Sequence, residues 1–242
     1  MTTSSSSIIV LVEFETRCSR NEWLETFAPR ATDARNYEPN TVSYSAWANS
    51  EKSKYVFFYE KYNSIKDIGT HLHRKAHDEL VERLGKKQMT KRMILPAVKI
   101  KPLLQLGWSQ RSGKPITSGS IFNITTLRFS KQTDLKAYLK LMEKHVVYCN
   151  TNEPELLMYS GGIVQEDVKK GDYAGMIQNG DLLWFSIYAS DNAAKIHLQG
   201  NMEHLIPTIK KNGIQFIQPF HKTYYSTGLG YMSRDEKVIS KM

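Results

Sequence analysis

The stretch from Glu38 to Leu72, EPNTVSYSAWANSEKSKYVFFYEKYNSIKDIGTHL, recurs in outline in the second half of the chain. Its Glu-Pro pair and the following Tyr44 recur 115 residues later in the chain. Tyr62, His71 and residues near them recur 126 residues later. The eleven additional residues are assigned to the polar segment Gln165–Asp181, because polar, glycine-containing loops tolerate insertions. Two collinear series of matches predict a duplicated unit. The matched pairs are Glu38 and Glu153, Pro39 and Pro154, Tyr44 and Tyr159, Tyr62 and Tyr188, Ser64 and Ser190, His71 and His197, and Leu72 and Leu198.

Each copy is predicted to fold in the order β-α-β-β-α-β. The first copy opens with the β-rich run Ile8–Glu15, and the capping-box pattern at residues 19–22 marks the start of its first helix. Ser64 and Ser190 are predicted to cap short helices that end near the repeated histidines. The remaining elements are predicted over Thr41–Trp47, Lys54–Tyr62, Arg74–Lys87 and about Val98–Leu106 in the first copy, and over Ser120–Phe129, Glu155–Val164, Asp181–Ala189, Met202–Lys211 and Ile214–Tyr225 in the second.

This order of elements is that of a ferredoxin-like domain, in which helices cover one face of a four-stranded antiparallel sheet. The other face is left bare, and two such sheets can cover each other. We therefore predict an α+β protein in which two ferredoxin-like domains, residues 7–108 and 120–227, pack sheet to sheet as an intramolecular dimeric α/β barrel. The polar segment 109–119, which contains two glycines and a proline, is the predicted linker.

The composition limits the class of protein. The 242 residues are 40% hydrophobic and 24% charged, and no apolar run is long enough to cross a bilayer. The uncharged, serine-rich start of the chain is unlike a signal peptide. The two cysteines, Cys18 and Cys149, have neither metal-site nor disulfide-framework spacing, so we expect a reduced, cytoplasmic protein.

The net charge of +9 comes from one segment of the chain. Between Arg83 and Lys131 there are eleven basic residues and no acidic one, whereas the rest of the chain has 22 basic and 24 acidic residues. These basic residues fall on different predicted elements, and no nucleic-acid-binding signature accompanies them. We therefore expect neither a nucleic acid nor a membrane as a partner.

The run from Glu38 to Leu80 resembles the antibiotic biosynthesis monooxygenase (ABM) domain of the dimeric α/β-barrel superfamily. The family pattern has a Glu-Pro-Gly turn, a strand with a tyrosine, a second strand with tyrosine or tryptophan, and a short helix with a histidine. This chain has asparagine in place of the glycine, and its second copy fits only through its matches to the first. The matching residues are Glu38–Asn40, Tyr44, Tyr59–Tyr62, His71 and, close to a second family histidine, His77.

The resemblance implies a cavity between sheet and helices that takes a flat, apolar, often aromatic small molecule. Family members include enzymes that oxygenate phenolic polyketides without a cofactor, which implies an oxygenase of secondary metabolism that uses O₂. A histidine would be the base that generates the substrate carbanion. The candidate bases are His71, His197 and His77, and the candidate substrate-binding residues are Tyr44, Trp47, Tyr59, Tyr62, Tyr159, Trp184 and Tyr188.

Several alternatives stay open on sequence grounds. The same cavity and base suit a cyclase, isomerase or dehydratase that works without O₂, and a haem-degrading enzyme would use His77 as the nearest iron ligand. A non-catalytic ligand-binding or stress-responsive barrel fits the unequal histidine content of the two copies. His73 and His77 have the spacing of metal ligands on one helix face, but no further ligands are evident and we assign no metal. Pairing of two fused barrels into a homodimer is also left open.

Overall fold

The computed structural model of the protein describes residues 7–49, 54–108, 111 and 114–233. It contains two consecutive units with the predicted order of strands and helices. Unit 1 consists of β1 (Ile8–Thr16), α1 (Arg20–Tyr37), β2 (Thr41–Asn49), β3 (Tyr55–Tyr62), α2 (Ile65–Leu72), α3 (Lys75–Lys86) and β4 (Thr90–Trp108). Unit 2 consists of β5 (Ile121–Arg128), α4 (Gln132–Asn152), β6 (Leu156–Val164), β7 (Leu182–Tyr188), α5 (Asp191–Gly200), a π-helical turn (Asn201–Leu205), α6 (Ile206–Lys211) and β8 (Ile217–Tyr231).

The eight strands form one closed antiparallel barrel. Within unit 1 the strands lie in the order β4-β1-β3-β2, and within unit 2 in the equivalent order β8-β5-β7-β6, which is the ferredoxin-like arrangement. The barrel closes because β2 pairs with β8 and β4 pairs with β6, so that each unit covers the open edges of the other's sheet. The predicted fold class, a fused α/β barrel of two ferredoxin-like units, is confirmed.

The barrel interior is a packed core of aromatic and aliphatic side chains from both sheets. Phe57 of β3 stacks on Tyr224 of β8 with ring centroids 4.3 Å apart. Phe122 of β5 meets the rings of Trp47 and Tyr59 at 5.0 and 5.5 Å. Because burial of such apolar surface is the dominant favourable contribution to folding, this core holds the two sheets together.

The helices cover the outer faces of the two sheets. In unit 1, Trp23 and Phe27 of α1 pack against Phe58 of β3, with centroid distances of 5.4 and 4.6 Å. The chain turns between α2 and α3, and α3 packs back against α1. In unit 2 the helix instead continues from α5 through the π-helical turn into α6. No helix in the described part of the chain is long and apolar enough to span a membrane.

Two strands are longer than the sequence predicted. β4 begins at Thr90, eight residues early, because it pairs with the far end of β1. A bulge in this pairing contains Pro96, which has no backbone N–H to donate and therefore looks like a strand break in the sequence. β8 begins at Ile217, three residues late, and continues six residues beyond its predicted end, to Tyr231, where it pairs with β2 of unit 1. Both extensions depend on pairing between distant parts of the chain.

The predicted linker, residues 109–119, falls partly outside the described residues, which include Arg111 and resume at residue 114. The Arg111 guanidinium donates hydrogen bonds to the carbonyl groups of Asn150, Glu153 and Leu156 at 3.0 to 3.1 Å. These bonds satisfy carbonyl groups at and just beyond the C-terminus of α4, where helical partners are lacking.

The basic residues of the central segment are distributed over separate ion pairs. Arg92 binds Glu15 and Asp172, and Arg128 binds Asp181. Such pairs near the surface contribute about 0–1 kcal/mol each to stability. Part of the positive charge that the sequence concentrates between residues 83 and 131 is therefore opposed in space by acidic residues of other segments, at Lys91, Arg92, Lys99 and Arg128.

Candidate functional site

The residues that repeat along the sequence meet in space, once in each unit. In unit 1, Nδ1 of His71 lies 2.7 Å from Oε2 of Glu38, and the rings of Tyr44 and Tyr62 meet the imidazole edge-on at 4.7 and 5.4 Å. We call these four residues the unit 1 cluster. The unit 2 cluster, with equivalent distances of 2.6, 5.0 and 5.4 Å, consists of Glu153, His197, Tyr159 and Tyr188.

The same local structure builds both clusters. Each glutamate is the C-cap of the first helix of its unit. Each histidine lies in the last turn of the helix that follows the third strand of its unit, which is α2 after β3 and α5 after β7. The hydroxyl of Ser190 caps α5 by accepting a hydrogen bond from the Ala193 N–H at 3.2 Å, whereas the hydroxyl of Ser64 donates to Asp67 at 2.6 Å. The clusters therefore lie between sheet and helices, outside the barrel interior.

In unit 1 a buried arginine closes the cluster. Nη2 of Arg30 lies 2.6 Å from Oε1 of Glu38 and 2.7 Å from Nδ1 of His71, and it donates to the carbonyl of His71 at 3.0 Å. Nη1 lies 3.2 Å from Asp33, which Arg74 also binds at 2.6 Å. Burial alone would raise the pKa of Glu38, but the hydrogen bond and charge of His71, together with Arg30, lower it to about 2. The unit 1 cluster is thus a buried ionic network.

In unit 2 the cluster opens onto a cavity of about 640 Å³ between the outer face of the sheet and the helices α5 and α6. This volume is typical of small-molecule sites. Aromatic side chains form much of the wall, and His197 lines it from α5. The lining includes Tyr138, Tyr159, Trp184, Tyr188, Leu127 and Phe216, with the polar residues Asn123, Thr125, Ser186 and His221.

The equivalent space in unit 1 is filled by apolar side chains. By the strand pairing of the two units, Val10 stands on β1 where Asn123 stands on β5, and Phe58 stands on β3 where Trp184 stands on β7. The ring of Phe58 packs against Phe27 of α1 within the buried core of that unit. A packed core in unit 1 therefore corresponds to the cavity in unit 2.

Two buried polar atoms of residues that line the cavity have no hydrogen-bond partner among the described residues. They are Nε1 of Trp184, which is a donor, and Oδ1 of Asn123, which is an acceptor. Because an unpaired buried polar group costs about 1–3 kcal/mol, a ligand that supplies the missing partner offsets this cost. Both atoms are themselves covered by protein, so a ligand in the cavity reaches them when the Trp184 and Asn123 side chains turn toward it.

The hydrogen bond between Glu153 and His197 sets the tautomer of the histidine. A carboxylate only accepts hydrogen bonds, so Nδ1 of His197 carries the hydrogen and Nε2 keeps its lone pair. Burial alone would raise the pKa of Glu153, but the hydrogen bond and charge of His197 lower it below its ordinary value. The carboxylate therefore stays ionised and can stabilise an imidazolium that forms when Nε2 takes a proton.

Two residues of α4 to which sequence reasoning assigned no role lie behind His197. Sγ of Cys149 is 3.3 Å from Nε2 of His145 and 3.9 Å from Nδ1 of His197. Burial and the charge of His197 lower the pKa of His145 to about 4, and burial raises the pKa of the Cys149 thiol. At the offset of 115 these two residues correspond to Arg30 and Ala34 of unit 1. Extending the repeat back along the first helix of each unit would have found them.

The structure does not bring every predicted site residue to a cluster. Trp47 and Tyr59 pack in the barrel interior, on the opposite face of the sheet from the clusters and the unit 2 cavity. His77 lies near the unit 1 cluster, with its ring 6.0 Å from that of His71, and burial lowers its pKa. His73 ends α2 whereas His77 belongs to α3, so the shared helix face predicted for this pair is wrong.

No protein-family model matches the sequence, and no curated protein matches it. Solved structures resemble it over its full length. A "putative monooxygenase" from Lactobacillus acidophilus aligns with a TM-score of 0.70 and 13% identity, covering 94% of this chain and 97% of that one. A second "putative monooxygenase", from Fusobacterium nucleatum, aligns with a TM-score of 0.65 and 12% identity over 95% and 94%. An anthrone oxidase-like protein aligns with a TM-score of 0.56 and 10% identity over 100% and 99%.

The chain has the fold of these three proteins. The predicted resemblance to monooxygenase-type α/β barrels, as a tandem of two units, is confirmed at the level of the fold. At identities of 10 to 13%, the chemistry has to be argued from the residues of this chain.

Proposed function

We propose that this protein is a monooxygenase-type enzyme that oxygenates an aromatic, polyketide-type small molecule of secondary metabolism without a bound cofactor, in the cavity of unit 2. The observation that carries the proposal is the 2.6 Å hydrogen bond between Glu153 and His197 in the wall of an aromatic cavity. The fold shared with an anthrone oxidase-like protein agrees with this class of reaction.

The reaction begins with an acidic C–H group such as the methylene of an anthrone. Nε2 of His197 takes a proton from this carbon, and the electron pair left behind is delocalised into the aromatic rings. The carbanion gives one electron to O₂, and the resulting radical pair combines to form the C–O bond of a peroxide anion. The terminal peroxide oxygen then takes the proton back from Nε2 of His197. Loss of water from the peroxide converts the methylene into a carbonyl, so one oxygen atom enters the product and the other leaves as water.

The aromatic residues of the cavity position the substrate. Tyr159 and Trp184 lie edge-to-face with centroids 4.8 Å apart, and together they offer the apolar surface that a flat ring system needs. Burial raises the pKa of Tyr159 and Tyr188, so both phenols stay neutral. Nε1–H of Trp184 and Oδ1 of Asn123 would bind the oxygen substituents of the substrate.

The same base can serve a reaction without O₂, as in a cyclase, an isomerase or a dehydratase. The experiment that separates these reactions incubates the purified protein with an anthrone-type substrate in air and under nitrogen. We expect product only in air, with one atom of ¹⁸O₂ incorporated as the new carbonyl oxygen. Product that forms equally under nitrogen would replace the oxygenase by the O₂-independent alternative, and no product under either gas would refute the proposal.

A further inference from the structure

Three side chains of the kinds that bind transition metals meet behind the cavity of unit 2. His145 and Cys149 are one helical turn apart on α4, and His197 lies near the end of α5. Nε2 of His145, Sγ of Cys149 and a ring nitrogen of His197 all lie within 4.8 Å of one another, and all three residues are buried. We call these three residues the His-Cys-His cluster.

The distances within the cluster match those around a tetrahedral zinc ion. Bonds of about 2.3 Å to sulfur and about 2.0 Å to nitrogen place the two kinds of donor atom about 3.6 Å apart. The Sγ of Cys149 lies 3.3 Å from Nε2 of His145 and 3.9 Å from Nδ1 of His197, one on each side of that value. Because no two of these donor atoms are more than 4.8 Å apart, side-chain rotations can bring all three to one ion.

We propose that the His-Cys-His cluster binds one four-coordinate transition-metal ion of the Zn²⁺ type, with Glu153 as the fourth ligand. Glu153 follows His145 and Cys149 at the same four-residue spacing, as the C-cap of α4. Its Oε2 is 2.6 Å from Nδ1 of His197, and an ion bound by both would replace this hydrogen bond and move the two atoms to about 3.3 Å apart. Its carboxylate also shares a hydrogen bond with the Cys149 thiol. A set of one thiolate and two imidazoles binds Zn²⁺ in preference to the hard ions Mg²⁺ and Ca²⁺, which prefer oxygen ligands.

Unit 1 shows what the same positions do without metal ligands. Arg30 and Ala34 stand at the positions of His145 and Cys149, and the Arg30 guanidinium lies 2.6 Å from the carboxylate of Glu38. A fixed cation thus occupies the place beside the glutamate in unit 1. In unit 2 a bound metal ion supplies the positive charge at the equivalent place.

Metal binding changes the protons of the site. The ion displaces the proton of the Cys149 thiol to solvent, and it occupies Nδ1 of His197 in place of the hydrogen that Glu153 accepts. The hydrogen of the neutral imidazole then sits on Nε2. His197 with a metal on Nδ1 is therefore no longer the base of the proposed oxygenation, but the metal site itself stands on the geometry of the cluster and does not rest on that proposed function.

The test uses Co²⁺, because its spectrum reports the ligands of the ion. Purified protein is first treated with a chelator, and Co²⁺ is then titrated anaerobically. We expect one equivalent to bind with a thiolate-to-cobalt charge-transfer band in the near ultraviolet and with the intense visible bands of four-coordinate cobalt. Zn²⁺ should remove both sets of bands. Because these readouts do not depend on turnover, the metal site and the proposed function succeed or fail separately.

Cys18 provides the matched control, because it is the other free thiol and lies in unit 1. Cys18→Ser should keep the charge-transfer band, and Cys149→Ser should lose it. His145→Gln should weaken Co²⁺ binding by ~10-fold or more, by analogy with changes around known metal ligands. Circular dichroism shows which variants are folded, and His145→Gln carries the test if Cys149→Ser is not.

The proposal is overturned if folded wild-type protein shows no charge-transfer band with Co²⁺. It is also overturned if the band survives in folded Cys149→Ser, or if Co²⁺ binding is unchanged in His145→Gln. A double variant, His145→Arg with Cys149→Ala, gives unit 2 the residues of unit 1 at both positions and should bind no Co²⁺ when folded.

Discussion

The two units build the same four-residue cluster and differ in what lies beside it. In unit 1, Arg30 binds the cluster glutamate and Phe58 packs over the sheet, so the cluster is enclosed by charge and by apolar side chains. In unit 2, His145 and Trp184 stand at those two positions, and the cluster histidine lines a cavity of about 640 Å³. A buried Glu-His pair joins helix to helix in both units, and in unit 2 open space adjoins it.

The comparison is tested most strongly by removing each histidine in turn. His197→Gln should lower the rate of product formation by ~10²–10⁴-fold, the usual contribution of a general base, because Gln cannot take the substrate proton. His71→Gln is the matched control and should leave the rate within a few-fold of wild type in protein that stays folded. The measurement is the turnover of an anthrone-type substrate by both variants at equal concentrations of folded protein. If His71→Gln were the inactive variant, the base would belong to unit 1 and the assignment would be reversed.

The second-largest expected effect is a loss of unfolding free energy when the buried ion pair of unit 1 is broken. Arg30→Ala removes the nearer of the two arginines that pair with the buried carboxylate of Glu38, and breaking a buried ion pair in this way costs about 3–5 kcal/mol of unfolding free energy. Urea denaturation monitored by tryptophan fluorescence measures the loss.

Arg74→Ala is the control for this measurement, because Arg74 binds Asp33 and lies farther from Glu38, at 3.6 Å, and is itself about a third exposed. It should cost about 1 kcal/mol or less. Equal losses in the two variants would mean that the buried network of unit 1 contributes no more than a surface pair.

A smaller effect is expected at the polar atoms of the cavity. Trp184→Phe places in unit 2 the residue type that unit 1 has at this position, and it removes the Nε1 donor while keeping an aromatic ring. Loss of one hydrogen bond of about 1 kcal/mol should raise KM by ~5-fold with little change in kcat. Trp47→Phe, in the barrel interior, should leave KM unchanged, and an equal rise in KM for both would place the substrate elsewhere.

The smallest effect is a pH dependence of stability that arises from unit 1. The pKa of Glu38 is about 2 in the folded protein and 4.5 ordinarily, so its contribution is complete above pH 4.5 and is lost as the pH falls toward 2. By pH 3.5 the loss should be about 1 kcal/mol. Urea titrations between pH 3 and 6 should show this acid-side loss in wild type and a shallower one in Glu38→Gln. Glu79→Gln, at an exposed pair on α3, should behave as wild type.

The fold could be predicted because local sequence patterns indicate its elements and the spacing of the repeat indicates its two units. The order of elements follows from periodicity, caps and turns, which act over a few residues. The start of β4 and the end of β8 could not be predicted, because they are set by pairing with distant strands, β1 of the same unit for β4 and β2 of the other unit for β8. Pro96 interrupts the local β pattern at a point where the partner strand accommodates a bulge.

The site was predicted in part, for a related reason. His197, Tyr159 and Tyr188 were found because they are identical to their counterparts in unit 1. His145 and Cys149 differ from their counterparts, so identity did not mark them, and only extending the alignment back along the first helices would have done so. The alternation of apolar and polar residues could not show which face of the sheet Trp47 and Tyr59 occupy. Both faces of each strand are covered, by the barrel core on one side and by helices on the other, so apolar residues occur at nearly every strand position.

The pairing of β8 with β2 has a consequence for how the protein is made. β8 is the last strand of the described chain to leave the ribosome, yet it covers the open edges of both β2 and β5. Until it emerges, β2 and β5 each present an unpaired strand edge. Such surfaces bind chaperones and aggregate with other nascent chains. A chain released early, before Ile217, therefore has no partner for either edge.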